Sequence, residues 1–237
     1  MSYVIEKPKR NVDFVLCIDG TLSMSPLITA IQTNFYLFLS ELYEWLAEKR
    51  VRPINTLRIK VIVFRDYRDD GADAMVESVF FNLPEDDADF EQFLMSITAN
   101  GGGDLPENGL EALHYAMSSD FTAGRIDRQV IMLFTDADAI RLGLRGDCAG
   151  YPSDMVDEEG LIRAWGEKNY DWDADDVCTP EQKNRRMFLF APPHTYYEYL
   201  SKTLRRCYFE PVEDMSTVFD KDSIPYLVDW MGRAIFY

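Results

Sequence analysis

Residues 12–18 form an apolar, β-rich run of the kind that lies in the middle of a parallel sheet with both faces covered, and they predict the first and most buried strand. After a break at residues 19–26, apolar side chains recur at Ile28, Ile31, Phe35, Phe38, Leu39, Leu42 and Leu46. That is the spacing of one helical face, and it predicts a long amphipathic helix ending before Pro53. Residues 57–64 read as a second strand, and 76–81, beyond an acidic turn, as its hairpin partner. A short helix is expected over 86–97.

The glycine loop at 101–103 opens another helix: Asp104 reads as its N-cap, Glu107 completes a capping box, and Leu110, Leu113 and Met117 supply an apolar face. Residues 129–138 give a buried strand ending in acidic residues, and 187–191 a third such strand. A helix near 196–206, a short strand from Cys207 and a last helix around 224–236 complete the pattern. Strands alternating with helices argue for an α/β fold, a doubly wound, mostly parallel central sheet with one antiparallel edge strand and helices on both faces. Residues 1–237 read as one domain. The periodicity is lost at about 142–186, a polar, acidic, aromatic-spiked segment too long for an ordinary connection, and it reads as an insertion or flap. Its aromatics Trp165, Tyr170 and Trp172 suit either a small internal core or a recognition face.

Composition narrows the classes. Over 237 residues, 24 Lys and Arg stand against 41 Asp and Glu, a formal charge of −17, which argues against nucleic acid or an anionic membrane as the main partner. Acidic groups at Asp69, Asp70 and Asp73, and at Glu85, Asp86 and Asp87, either steer a basic partner or keep the loops solvated. No apolar stretch is long enough to span a membrane, and the charged N-terminal residues do not form a signal peptide, so a cytoplasmic location is expected. Cys17, Cys148, Cys178 and Cys207 are scattered and read as reduced thiols, and His114 and His194 are too few for a multi-histidine metal site.

In doubly wound sheets, ligands bind at the carboxyl ends of the strands. Three such places carry oxygen donors: Asp19, Thr21 and Ser23 after the first strand, Asp104 in the glycine loop, and Thr135, Asp136 and Asp138 after the strand at 129–138. Carboxylates and hydroxyls without nitrogen or sulfur suit a hard divalent cation, Mg²⁺ first, with Mn²⁺ or Ca²⁺ as alternatives.

D-x-T-x-S after a central strand, G-G-G-D-x-P-E before a helix and T-D after the next core strand together resemble the von Willebrand factor A (vWA) domain and its metal-ion-dependent adhesion site, in the variant of stand-alone bacterial members. The resemblance implies a metal set of Asp19, Thr21, Ser23, Asp104 and Asp136, with Asp104 where the family more often has Thr. It also implies a non-enzymatic adaptor that binds a protein partner through the cation. Such a partner would be a kinase, a phosphatase or an AAA-type ATPase in a bacterial stress or phage-defence system.

The run ending D-G-T-L-S also resembles the first motif of Mg²⁺-dependent haloacid-dehalogenase-type phosphatases, D-x-D-G-T-L. Here Cys17 stands where that family has its nucleophilic aspartate, which disfavours the phosphatase.

Overall fold

The computed structural model describes residues 8–102, 106–168 and 179–237; Asp104, Tyr170, Trp172 and Cys178 lie outside the described residues. Strand β1 (Arg10–Asp19) is buried along almost its whole length. Helix α1 (Ser25–Glu48) follows, with Pro26 in its first turn, and its apolar stripe from Leu27 to Leu46 is buried. It stops in a Schellman arrangement: Arg50 takes φ 52°, and the amides of Arg50 and Val51 bond back to Ala47 and Leu46.

Next come β2 (Ile54–Phe64), the single turn α2 (Tyr67–Asp70), and the short strands β3 (Met75–Glu77) and β4 (Phe81–Leu83). Helices α3 (Asp87–Ser96) and α4 (Gly109–Met117) lead to β5 (Arg128–Phe134). The chain continues through α5 (Glu158–Trp165), α6 (Pro180–Asn184), β6 (Arg185–Ala191), α7 (Tyr196–Thr203), β7 (Cys207–Pro211) and α8 (Ile224–Phe236).

The seven strands among the described residues make one sheet in the order β3-β2-β1-β5-β6-β7, with β4 also on β2. All pairings among β2, β1, β5, β6 and β7 are parallel, and β3 and β4 run antiparallel to β2. The expected antiparallel edge is therefore in two pieces. Ser78 lies at the break, where its hydroxyl, not a backbone carbonyl, accepts from the Val61 amide.

The two-residue period of the strands sorts their side chains into two cores. On one face Phe14, Leu16, Phe134 and Phe190 pack with α1, α3 and α8; Phe134 stacks on Phe190 at 4.8 Å between ring centroids. On the other, Val15, Cys17, Leu133 and Leu189 pack under α4, α5 and α7. Each fully buried aromatic or aliphatic side chain contributes roughly 1.5–3 kcal/mol, so both helical layers are held by burial. Trp165 belongs to the second core and donates its indole N–H to the Arg205 carbonyl at 2.7 Å, which makes it a packing residue and not part of an exposed recognition face.

The chain leaves β1 toward β2 on one side, whereas β5, β6 and β7 extend the sheet on the other, so the order reverses between β1 and β5. The register pairs Asp19 with Phe64 and Ile18 with Phe134, which brings the ends of β1, β2 and β5 to one edge. The crevice of a doubly wound sheet opens at such a reversal.

Candidate metal centre

Asp19 is the last residue of β1 and is fully buried. Its Oδ1 accepts from the Thr21 amide at 2.9 Å and the Thr21 hydroxyl at 2.6 Å, and its Oδ2 accepts from the Thr135 hydroxyl at 2.6 Å. Burial pushes the Asp19 carboxyl up to about 6; the hydrogen bonds from Thr135 and Thr21 oppose that shift, and the Asp136 charge adds to it. The Ser23 hydroxyl lies 3.4 Å from that of Thr21. Neighbouring oxygens around a small octahedral cation stand about 3 Å apart, and the two spacings along the first loop, 2.6 Å from Asp19 to Thr21 and 3.4 Å from Thr21 to Ser23, lie to either side of that value.

On the β5 side, Thr135 is buried, and its hydroxyl both donates to Asp19 and accepts from the Ala137 amide at 3.1 Å. Asp136 follows with a buried Oδ1 that has no hydrogen-bond partner among the described residues. Asp138 is turned elsewhere: its Oδ1 accepts from the Tyr196 amide at 2.7 Å and so anchors the start of α7. The structure thus brings Asp19, Thr21, Ser23, Thr135 and Asp136 to one edge, while Asp104 lies outside the described residues.

A capping box of Asp104 with Glu107 requires Glu107 in the first turn of the helix, but helix α4 begins four residues later than such a box needs, at Gly109 after Asn108, and the Glu107 backbone is engaged in a parallel bridge with Ala139. The Glu107 amide donates to the Asp138 carbonyl at 3.1 Å, and its carbonyl accepts from the Ile140 amide at 2.9 Å. A capping box of that kind does occur at Thr179 and Gln182, opening α6. Glu107 is 2% exposed, its Oε2 has no hydrogen-bond partner among the described residues, and its carboxyl is pushed up to about 8, first by burial and then by the charges of Asp19, Asp66, Asp70 and Asp69.

The glycine loop reaches this edge because it has no side chains. Gly102 has φ +73°, and a Cβ there would lie 2.7 Å from Thr21 Cγ2 and 3.3 Å from Glu107 Oε1. Its amide donates to Asp70 Oδ2 at 3.3 Å. Below, the Arg65 guanidinium ties the loops together by donating to the carbonyls of Gly20, Asn100, Asp73 and Thr98. Asp66 is fully buried and takes a two-bond ion pair from Arg145, at 2.7 and 2.5 Å, which fastens the segment after β5 to this end. Asp69, Asp70 and Asp73 line a trough of about 600 Å³ beside the glycine loop.

Among the described residues no group of three or more His, Cys, Asp or Glu side chains is arranged to hold a metal. A hard cation at this edge would have to be held by hydroxyls together with single carboxylates, and the oxygens of Asp136 and Glu107 that lack a partner among the described residues suit such an ion. Cys17, by contrast, is fully buried within β1, 3.7 Å from the Ala112 carbonyl, and burial pushes its thiol well up, so it offers no nucleophile in place of a phosphatase aspartate. Glu107, Thr135 and Gly102 are the residues here that the expected metal set does not contain. Thr135 was legible as a hydroxyl at a strand end; Glu107 was masked by its spacing from Asp104.

The sequence profile described as von Willebrand factor A domain matches residues 13–147. No curated protein matches the chain. Two crystal structures of the pilus adhesin SpaC from Lactobacillus rhamnosus GG are similar, with TM-scores of 0.55 and 0.53 at 12% identity. They cover 97% of this chain, which spans only 31% and 30% of the adhesin, and at that identity the likeness is one of fold. Proximal thread matrix protein 1 from the mussel byssus is also similar, at 11% identity and a TM-score of 0.47, with 93% of this chain and 47% of that one covered. No helix among the described residues is long and apolar enough to cross a membrane.

Proposed function

This chain belongs to the von Willebrand factor A domain family, a fold that often mediates protein–protein interaction, and we propose that it binds a partner protein through a divalent cation held where β1 and β5 end. Asp19, Thr21, Ser23 and Asp136 hold the ion, with Asp104 as the fifth residue of the set expected from the sequence. Mg²⁺ is the expected ion and Mn²⁺ or Ca²⁺ the alternatives. When bound, the cation supplies an electrophilic point for an oxygen of the partner. Thr135 orients the Asp19 carboxylate from the β5 side.

One observation carries this reading. Among the described residues, the fully buried Asp19 meets hydroxyl and amide donors only, while a buried carboxylate oxygen of Asp136 beside it has no hydrogen-bond partner. Buried carboxylates left in that state are costly unless a cation completes them. The partner is a protein met on an acidic surface, since the chain carries a formal charge of −17. The finer assignment, a non-enzymatic cytoplasmic adaptor to a kinase, a phosphatase or an AAA-type ATPase in a bacterial stress or defence system, rests on the motif resemblance.

Thermal unfolding in EDTA, Mg²⁺, Mn²⁺ and Ca²⁺, for the wild type and Asp19→Ala, tests the reading. An ion bound to the folded state raises the midpoint by mass action, and the rise must vanish in the variant. No shift with any of the three ions overturns the metal-dependent function.

A further inference from the structure

We propose that the end of the sheet opposite the candidate metal centre binds an oxyanion of the phosphate class, with the Arg10 guanidinium as its central ligand. The inference stands apart from the metal-dependent reading and uses none of its residues.

Parallel strands bring their amino ends to one edge. Arg10 opens β1, Arg128 opens β5 and Arg186 lies one residue into β6, and the register sets Val12 beside Arg128 and Val130 beside Arg186. By the two-residue period all three arginines share the face of Val12, Val130 and Phe188, the face that packs against α8. Arg52, just before β2, and Arg206, just before β7, stand at the same end and are half-buried. The charges of Arg128 and Arg52 act on Arg10, and those of Arg206, Arg128 and Arg10 act on Arg186. Five guanidiniums thus gather at one edge of a chain whose formal charge is −17.

Two of them have a structural use. Arg128 Nε donates to the Ile235 carbonyl and Arg186 Nε to the Ala234 carbonyl, each at 2.6 Å, and so they close the carboxyl end of α8, where cations are favoured. Arg10 has no such use. It is 5% exposed, its guanidinium carbon lies 5.1 Å from the centre of the Phe236 ring, and its Nε and Nη1 are buried with no hydrogen-bond partner among the described residues. The carboxylate that acts on it, Asp127, is itself engaged, since both of its oxygens accept from Asn11. Burial, and then repulsion from Arg128 and Arg52, brings the Arg10 guanidinium down to about 10.

A buried cation with unused donors and cations for neighbours calls for an anion. The planar fork of a guanidinium matches the oxygens of a phosphate group, which accept from several arginines at once. A carboxylate, with a single charge, leaves most of the five unanswered. Free phosphate and a phosphomonoester share the required chemistry.

Titration calorimetry and thermal unfolding with inorganic phosphate test this on the full chain, in EDTA throughout and at an ionic strength held constant with chloride. The variants are Arg10→Gln, Arg10→Lys, Arg206→Gln and, as a control for net charge, Arg163→Gln on the exposed side of α5. Phosphate is expected to raise the wild-type midpoint by mass action. Arg10→Gln should weaken phosphate binding roughly 10-fold or more, Arg10→Lys less because it keeps the charge and loses only the fork, Arg206→Gln several-fold, and Arg163→Gln not at all. In chloride Arg10→Gln should unfold no earlier than the wild type, because it removes a charge that its neighbours repel. Arg10→Lys carries the test if Arg10→Gln does not fold.

Parallel titrations with phosphoserine identify the source: binding of both probes assigns the site to a phosphomonoester, and binding of inorganic phosphate alone assigns it to the free ion. A wild type that gains nothing from either probe overturns the inference, and so does a gain from acetate as large as that from phosphate. Equal losses in Arg206→Gln and Arg163→Gln reduce the effect to net charge and overturn it. A lower chloride midpoint in Arg10→Gln with phosphate affinity intact makes Arg10 a purely structural cation, with the same result. With EDTA present, none of these outcomes bears on the metal-dependent reading.

Discussion

Asp13 and Asp19 belong to one strand and, by the two-residue period, to one face of it, and both are fully buried. Their surroundings are opposite. Asp13 takes a two-bond ion pair from Arg58, at 2.9 and 2.7 Å, and two further hydrogen bonds from the Thr122 amide and hydroxyl at 2.6 and 2.9 Å. Asp19 receives a comparable number of short hydrogen bonds from neutral donors, and the charge of Asp136, of its own sign, acts on it. The same residue type on the same strand is closed at the amino end and left with its charge unanswered at the carboxyl end. Closed charges hold the sheet to its loops; an unanswered one is what a binding site requires.

The widest test of that contrast removes the cation from the closed end. Arg58→Ala leaves Asp13 buried beside Thr122 without its counter-charge, and the expected loss is about 3 kcal/mol of folding stability, at the low end for breaking a buried pair because the Thr122 donors remain. Urea unfolding at neutral pH measures it. A loss under about 1 kcal/mol would mean that Asp13 is as tolerant of an unanswered charge as Asp19, and the contrast between the two ends would fail.

At the open end the corresponding change is Asp19→Asn, which keeps the shape and removes the charge. Without ions the expected stability change is within about 1 kcal/mol, since lost charge-assisted hydrogen bonds offset relief from Asp136. With Mg²⁺ at roughly 100 times its Kd, the wild type gains about 2.7 kcal/mol and the variant gains nothing. Paired unfolding curves in EDTA and Mg²⁺ separate the two effects; an ion-dependent gain retained in Asp19→Asn would remove Asp19 from the site.

These two aspartates also mark what the sequence could reveal. The strands at 12–18 and 129–134 and the long first helix were legible because their patterns are local: buried parallel strands are nearly continuous apolar runs, and the stripe from Leu27 to Leu46 follows the helical period. The placement of Asp19, Thr21, Ser23 and Asp136 at one edge of the sheet was legible because each follows such a run within a few residues. The placement of Glu107 was not, because its spacing from Asp104 is that of a capping box; its position depends on a bridge to Ala139, a pairing with no local signature. Trp165 lies in a segment without periodicity, and only its contact with the strand and helix layer on that face shows that it is core. The break in the antiparallel edge at Ser78 was equally hidden, since a serine hydroxyl substituting for a ladder carbonyl looks like any other polar residue in a strand.

The glycine loop gives a more local way to disturb the open end. Gly102→Ala places a methyl against Thr21 at a backbone angle that L residues avoid, with φ +73°. The expected cost is about 1–3 kcal/mol of stability, and the displaced Thr21 hydroxyl should remove most of the Mg²⁺-dependent gain. Thermal unfolding in EDTA and in Mg²⁺ reads both. If the variant lost stability yet kept its full response to the ion, the close approach of Gly102 would serve folding only.

The smallest effect on the fold, and the sharpest on the comparison, belongs to Ser23. It is exposed on the loop after β1, with its hydroxyl 3.4 Å from that of Thr21. Removing an exposed hydroxyl normally changes stability by no more than about 0.5 kcal/mol, so Ser23→Ala should unfold with the wild type in EDTA. A hydroxyl that ligates an ion is worth more than one facing water, and the same substitution should weaken Mg²⁺ binding several-fold by calorimetry. Thr122, the hydroxyl partner of the closed aspartate, provides the control: Thr122→Val should lower stability by about 1 kcal/mol and leave Mg²⁺ affinity unchanged. A Ser23→Ala variant indistinguishable from wild type in both media would confine the ion to Asp19, Thr21 and the β5 side. The exposed lip of the first loop would then have no part in binding.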